Sequence, residues 1–288
     1  MRLNASVGHR RSLESGMRVR SVVLLLLLVL TGWGVLRAQR PFQAYRGQEY
    51  EDFPLPPDYQ KTAEWTRARL RYPSFMMVHP PVRDGYERWT VDYPRSDRHL
   101  LEGIRRLTRI DTRSVEQVVD FDYKEDEDDV FNWPSMYAVE VGYWNLTDAQ
   151  ASQMREYLLR GGFFMCDDFH GSVEWANFVA SMKRVFPDRN IVDLDNKDAI
   201  FHVVYDLDDK YQVPGLQFVY TKSRFEYDGF EAKWRGIYDD KGRLMVAICH
   251  NMDLGDAWEH SDNPMYPEPF AALAYRIAVN YWTYDLTH

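Results

Sequence analysis

Gly161-Gly162-Phe163-Phe164-Met165-Cys166-Asp167-Asp168-Phe169-His170-Gly171 is the stretch that decides the fold. An apolar run between a glycine pair and two acids reads as a short strand buried on both faces, the central strand of a parallel sheet. Such a strand needs cover on each side. The chain supplies a helix before it, closed by Gly161, and a second after it, opening near Ser172. Asp167, Asp168 and His170 then fall just past the carboxyl end of the strand, where open α/β sheets bind ligands.

Working upstream, Thr147-Asp148-Ala149-Gln150 has the spacing of a capping box, ahead of a helix with Ala151, Met154, Tyr157 and Leu158 turned inward. Strands are expected over 135–141 and 114–121, and an alternating first strand over 67–72. Between them, Ser96 or Asp97 is expected to cap a helix whose Leu100, Leu101, Ile104 and Leu107 share one face. Downstream, Trp175, Phe178, Val179, Met182 and Val185 form the stripe of a helix ended by Pro187. Short strands are expected at 190–194, 201–205 and 216–220, then a hairpin over 234–249 turning on Asp240-Lys241-Gly242, then a last helix from Pro269 to Tyr281. Strands alternating with helices predict an α/β fold: a mostly parallel sheet with helices on both faces plus a late β-hairpin, in one domain over 63–286.

The 288 residues are 45% hydrophobic and 15% aromatic, enough to bury a full core. A net charge of -9 and the lack of a clustered basic face argue against binding nucleic acid. The acids concentrate in 120–129, a run without the glycine and ligand spacing of a calcium loop, and it reads as a solvated connection. At the N-terminus, Arg18 and Arg20 precede the apolar run Val22–Leu30, with Ala38 as a small residue for cleavage. That order predicts a signal peptide over 1–38, complete already from Met17, and a periplasmic or other extracytoplasmic location. Leu36 is an imperfect residue three places before the cut, so a retained membrane tether through 19–36 is the alternative. Residues 39–62 hold Pro41, Pro54, Pro56 and Pro57 and are expected to form a linker.

Several of these segments together resemble a known bacterial family. Arg69-Leu70-Arg71-Tyr72, Trp89 through Asp97, Leu158 through Asp168, Arg243 with its following strand, Asp253-Leu254-Gly255 with Trp258, and Asn280 are similar to the family called domain of unknown function 4159. The resemblance covers nearly everything after the linker. It implies a three-layer α/β sandwich like that of class I glutamine amidotransferases or flavodoxins, and an exported or membrane-associated protein; it implies no activity.

The amidotransferase likeness makes Cys166 a nucleophile to test. Those enzymes hold the thiol on a glycine-flanked turn beside a histidine, whereas Cys166 is followed by two carboxylates, which suppress the thiolate. Cys166 is therefore expected to be a buried structural cysteine, and Cys249, at the end of another expected strand, the same.

Cys166, Asp167, Asp168, His170, Gly171 and Trp175 are echoed by Cys249, His250, Asn251, Asp253, Gly255 and Trp258. If the two strand ends are neighbours, Asp167, Asp168, His170, His250 and Asp253 converge. That mixture suits a divalent metal such as zinc or manganese. It equally suits a polar ligand such as a glycan, held by carboxylates and stacked on Trp258 or Trp89. Alternatively Asp167 and Asp168 cap the following helix. Two functions follow: a non-catalytic domain binding a ligand or partner protein of the cell envelope, or a metal-assisted hydrolase. The sequence assigns no catalytic residue and no cofactor.

Overall fold

The computed structural model describes residues 41–47, 49–50, 52–74, 88–121 and 129–288. The expected signal peptide and most of the acidic run lie outside them. Phe42–His288 forms one compact unit.

Its centre is a seven-stranded sheet in the order β2-β1-β3-β4-β7-β6-β5. The strands are β1 (Ala68–Leu70), β2 (Gln117–Val119), β3 (Ser135–Ala138), β4 (Phe163–Cys166), β5 (Val192–Asp193), β6 (Lys233–Tyr238) and β7 (Leu244–His250). The five strands from β2 to β7 along that order run parallel; β6 is antiparallel to β7, and β5 to β6. The late hairpin is β6–β7, as the turn residues implied. β4 lies between β3 and β7, pairing Met165 with Tyr137 and with Ala247.

Six helices are described: α1 (Arg95–Leu107), α2 (Asp148–Leu159), α3 (Gly171–Val185), α4 (Gln217–Thr221), α5 (Leu254–Glu259) and α6 (Glu268–Thr287). On one face, Phe163, Met165 and Cys249 pack with residues of α1, α5 and α6. On the other, Phe164, Cys166 and Ile248 pack with residues of α2 and α3. The alternation along β4 thus feeds two cores, which is why the whole run is apolar. The capping box of α2 forms as expected: Gln150 N–H donates to Thr147 Oγ1 at 3.2 Å, and Thr147 N–H to Gln150 Oε1 at 2.8 Å.

Several local expectations are corrected. β1 does not alternate between buried and exposed, because Arg67 and Arg69 are buried too. Asp97, expected as a possible cap, lies inside the first turn of α1, where it binds Arg67 Nη2 at 2.5 Å and Arg69 Nη1 at 3.1 Å. Residues 201–205 and 216–220 are not strands: Phe201 closes the 3-10 turn Ala199–Phe201 and 202–205 are turn and bends, while the second is mostly α4. Leu107, at the end of α1, is half exposed. Within the expected linker, the carbonyls of Phe53 and Pro54 accept from Arg98, and Tyr45 packs edge-on against Trp89, contacts that leave the linker expectation as it stands.

Candidate functional site

The crevice at the carboxyl end of the sheet begins with the way the chain leaves three neighbouring strands. After β3, β4 and β7 the backbone turns left-handed at Glu140 (φ 51°), Asp168 (φ 50°) and Asn251 (φ 64°). Asn and Asp adopt this conformation more readily than other non-glycine residues, and each instance still costs on the order of 1–3 kcal/mol. Cross-bracing holds it: Glu140 N–H donates to the Asp168 carbonyl (3.0 Å), Asp168 N–H to Met252 (2.8 Å) and Asn251 N–H to Phe169 (3.0 Å).

His170 stands at the centre of one half of the crevice. Its Nε2 lies 3.3 Å from Asp168 Oδ1 and 3.8 Å from Glu226 Oε1. Its Nδ1 is buried with no hydrogen-bond partner among the described residues. Glu174 Oε2 accepts from His170 N–H at 2.5 Å, and Glu174 Oε1 from Tyr143 Oη at 2.6 Å. Burial pushes Asp168 and Glu140 well above the usual carboxylate range and also raises Glu226, with neighbouring acids adding to each. Burial lowers His170, against the pull of Glu226, Glu174, Asp167 and Asp256. Beside this group opens a groove of about 520 Å³ lined by Tyr143, His170, Val173, Glu174, Asn177 and Tyr227. Its lip is apolar, with Val173 and Tyr227 exposed.

The start of α3 is satisfied from elsewhere than the sequence suggested. Gly171 N–H donates to Asn251 Oδ1 (2.9 Å) and Ser172 N–H to Asp228 Oδ1 (2.8 Å). Neither Asp167 nor Asp168 caps it. Asp167 instead reaches across to α5, where its Oδ2 accepts from Leu254 N–H (2.6 Å) and Gly255 N–H (3.1 Å). It is fully buried, and burial raises it to about 6. Asp253 caps the same helix, accepting from Asp256 N–H at 2.7 Å.

The other half of the crevice joins Asp253, expected from the sequence, to acids that were not: Asp92, Asp256 and Glu259. Asp92, Asp253 and Asp256 each place a carboxylate oxygen within 4.8 Å of the other two. Glu259 adjoins them, grouped with Asp256 and His260 on one side and with Asp92 and Glu49 on the other. Burial raises Asp92 and Asp253 well above the normal range, and Asp168 contributes to both, so the two halves form one electrostatic field. The missed signal was the spacing Asp253, Asp256, Glu259-His260, which puts acids on consecutive turns of one short helix.

Of the residues singled out from sequence, Asp167, Asp168, His170 and Asp253 are thus gathered at this crevice. His250 is not among the acids: its Nε2 meets the Gly171 carbonyl (3.1 Å), its Nδ1 meets Arg235 (3.2 Å), and its ring packs on Phe169 and Trp175, each 4.9 Å away. Burial lowers it to about 4, so it is neutral at pH 7. Trp258 is fully buried, with Tyr137 5.6 Å and the Arg67 guanidinium 5.3 Å from its ring. Trp89 is buried against Tyr93 and Tyr45. Neither indole offers a free face to a sugar; the aromatic rings beside the groove are Tyr143 and Tyr227. Cys166 and Cys249 are buried and unbonded, and burial pushes both thiols well above their usual range.

A mostly parallel sheet whose central strands end in left-handed turns at Glu140, Asp168 and Asn251 defines an α/β domain with its crevice at the strand carboxyl ends. The chain belongs to the family described as a domain of unknown function (DUF4159), whose profile matches residues 77–286. A comparison with curated proteins finds no match.

Proposed function

We propose that this chain is a ligand-binding domain of the cell envelope, and that the His170 groove grips a hydroxyl-rich ligand such as a wall-type glycan. One observation carries the reading: a buried histidine whose Nδ1 has no partner among the described residues, flanked by Asp168, Glu174 and Glu226, opens onto a groove edged by Tyr143 and Tyr227. Carboxylates are acceptors when ionised and become donors when protonated. Asp168 and Glu226, both raised above the usual carboxylate range by burial, therefore match a ligand whose hydroxyls donate and accept. Tyrosine rings at the rim supply the apolar face that sugar rings cover. The envelope location rests on the order of Arg18, Arg20, the apolar run and Ala38. N-terminal sequencing of the protein from whole cells tests it: a start near Gln39 supports export with cleavage, and an intact segment in the cytosolic fraction refutes it.

The groove is tested by screening soluble glycan fragments for a rise in melting temperature, then measuring His170→Ala and Tyr227→Ala against each hit. A loss of at least tenfold in affinity in both variants, with folding intact, is expected. Unchanged affinity in both refutes the groove.

A second reading, metal-assisted hydrolysis, is favoured by the closeness of Asp92, Asp253 and Asp256. It predicts that a bound glycan fragment is cleaved when Mn²⁺ is added, whereas the binding reading predicts that it is recovered whole.

A further inference from the structure

We infer that Asp92, Asp253 and Asp256 form a binding site for a hard divalent cation. This site is distinct from the His170 groove, and the inference does not rest on that groove binding anything.

The backbone donors within the cluster are already used on oxygens that they orient. Asp253 Oδ1 takes Asp256 N–H at 2.7 Å, and Asp256 Oδ2 takes Leu216 N–H at 2.5 Å. What remains points inward. Asp92 is only 2% exposed, and its Oδ2 has no hydrogen-bond partner among the described residues. Glu259, 1% exposed, also has no hydrogen bond on Oε2, where His260 Nε2 stands 3.6 Å away. A buried carboxylate oxygen in that condition is rare unless a cation or proton completes it.

The basic side chains nearby are engaged elsewhere. Arg69 is committed to the carbonyls of Trp89 and Val91 and to Asp97. Arg95 is committed to Tyr50 and Asp262. Among the described residues, no lysine or arginine forms an ion pair with Asp92, Asp253 or Asp256; His260 alone borders the group, 3.5 Å from Asp256 Oδ1.

Two glycines show how tightly the oxygens are drawn together. A methyl group on Gly215 would fall 2.3 Å from Asp253 Oδ2, 2.6 Å from Gln217 Oε1 and 2.7 Å from Asp256 Oδ2. One on Gly255 would fall 2.1 Å from Asp92 Oδ2. The absent side chains make room for three carboxylates and a neutral amide oxygen on one small volume. All-oxygen donors of this kind select Mg²⁺, Mn²⁺ or Ca²⁺ over softer metals. Such ions take about six or more oxygens, so water and ligand oxygens complete the shell. Asp256, with 18% of its side chain exposed, marks the side of entry.

The test uses the full folded chain, stripped with chelator, and Mn²⁺ as the probe. Titration followed by the loss of the free-ion paramagnetic resonance signal is expected to show one tight Mn²⁺ per chain, with millimolar Ca²⁺ or Mg²⁺ competing. Asp92→Asn keeps the shape and suits the left-handed backbone at that position (φ 62°), so it is expected to fold and to bind Mn²⁺ at least tenfold more weakly. Gly215→Ala alters no charge and is expected to weaken Mn²⁺ to a similar extent by displacing Asp253 and Asp256. Asp285→Asn, which contacts Ser135 at the opposite end of β3, is expected to bind as the parent does. Removing one like charge is also expected to raise the melting temperature of the metal-free Asp92→Asn protein while abolishing the further rise that Mn²⁺ gives the parent. No Mn²⁺ bound by the parent at millimolar concentration overturns the inference. So does equal binding by Asp92→Asn, or equal weakening by Asp285→Asn.

Discussion

Replacing Asp167 with Asn should make the protein more stable at neutral pH, although it touches a buried cap. The carboxylate is fully buried and accepts two backbone N–H groups of α5 through one oxygen. Burial lifts it to about 6, roughly two pH units above an exposed aspartate. A raised carboxyl binds its proton more tightly in the folded state than in the unfolded chain. Its contribution is therefore fully present below about pH 4 and is lost as pH rises through about 6. Two pH units correspond to about 3 kcal/mol at pH 7.5. Asn mimics the protonated acid and does not titrate. In chelator-containing buffer, urea unfolding should find Asp167→Asn ahead of the parent by about 1 kcal/mol at pH 4.5, and by up to about 3 kcal/mol at pH 7.5. Asp167→Ala strands both N–H groups and opens a void, so it should lose on the order of 3–5 kcal/mol at either pH. If Asp167→Asn is as damaged as Asp167→Ala at pH 7.5, or if its difference from the parent does not change with pH, the reasoning fails.

Asp97→Ala leaves Arg67 and Arg69 buried without their carboxylate, and unfolding should show a loss of roughly 3–5 kcal/mol; a loss under about 1 kcal/mol would mean that water reaches the guanidiniums. Thr147→Ala removes half of the capping box on α2 and should lower stability by about 1 kcal/mol, a fall of some 2–4 °C in Tm, read by calorimetry. Cys166 and Cys249 should react with an aromatic disulfide reagent only after denaturation, since both are fully buried with raised thiols; stoichiometric labelling of the native protein would contradict this. Asp168→Asn should leave Tm unchanged or higher, because Asn suits the left-handed turn and removes a charge crowded by Glu226 and Asp256, while weakening any ligand of the His170 groove. A sharp fall in Tm with binding intact would make Asp168 structural.

The parts of the fold legible in the sequence were those whose cause is local. β4 announces itself because both of its faces are core, and α2 because Thr147 and Gln150 satisfy each other. β1 departs from the expected alternation because Arg67 and Arg69 carry no local sign of burial; their partner, Asp97, sits on a helix 30 and 28 residues away in sequence. Residues 201–205 and 216–220 depart from the expected strands because five-residue stretches, mostly apolar but interrupted by His202 and Gln217, fit a strand or a helix turn equally well. The site followed the same rule. Asp168, His170 and Asp253 could be placed from the strand ends that carry them, whereas Asp92 could not, since it precedes α1 and reaches the crevice only through tertiary packing.

His250 shows how strand periodicity separates residues that proximity in sequence unites. Along β7, Cys249 faces the core of α5 and α6, so His250 must face the other way, toward α3. It stacks there on Phe169 and Trp175 as a neutral ring, while Asp253, past the end of the strand, returns to the opposite side with α5. The recurrence of Cys, Asp or His, Gly and Trp after β4 and β7 therefore reflects the shared mechanics of two parallel strands turning into helices. Each strand needs a residue that tolerates a left-handed turn and a polar group to satisfy the next helix. The crossed pairing is the consequence: β4 supplies the carboxylate that caps the helix after β7, and β7 supplies the amide that caps the helix after β4. The two loops are then locked to each other before any ligand arrives, and the remaining acids, Asp168 on one side and Asp92, Asp253 and Asp256 on the other, are held close on a frame that cannot relax to separate them.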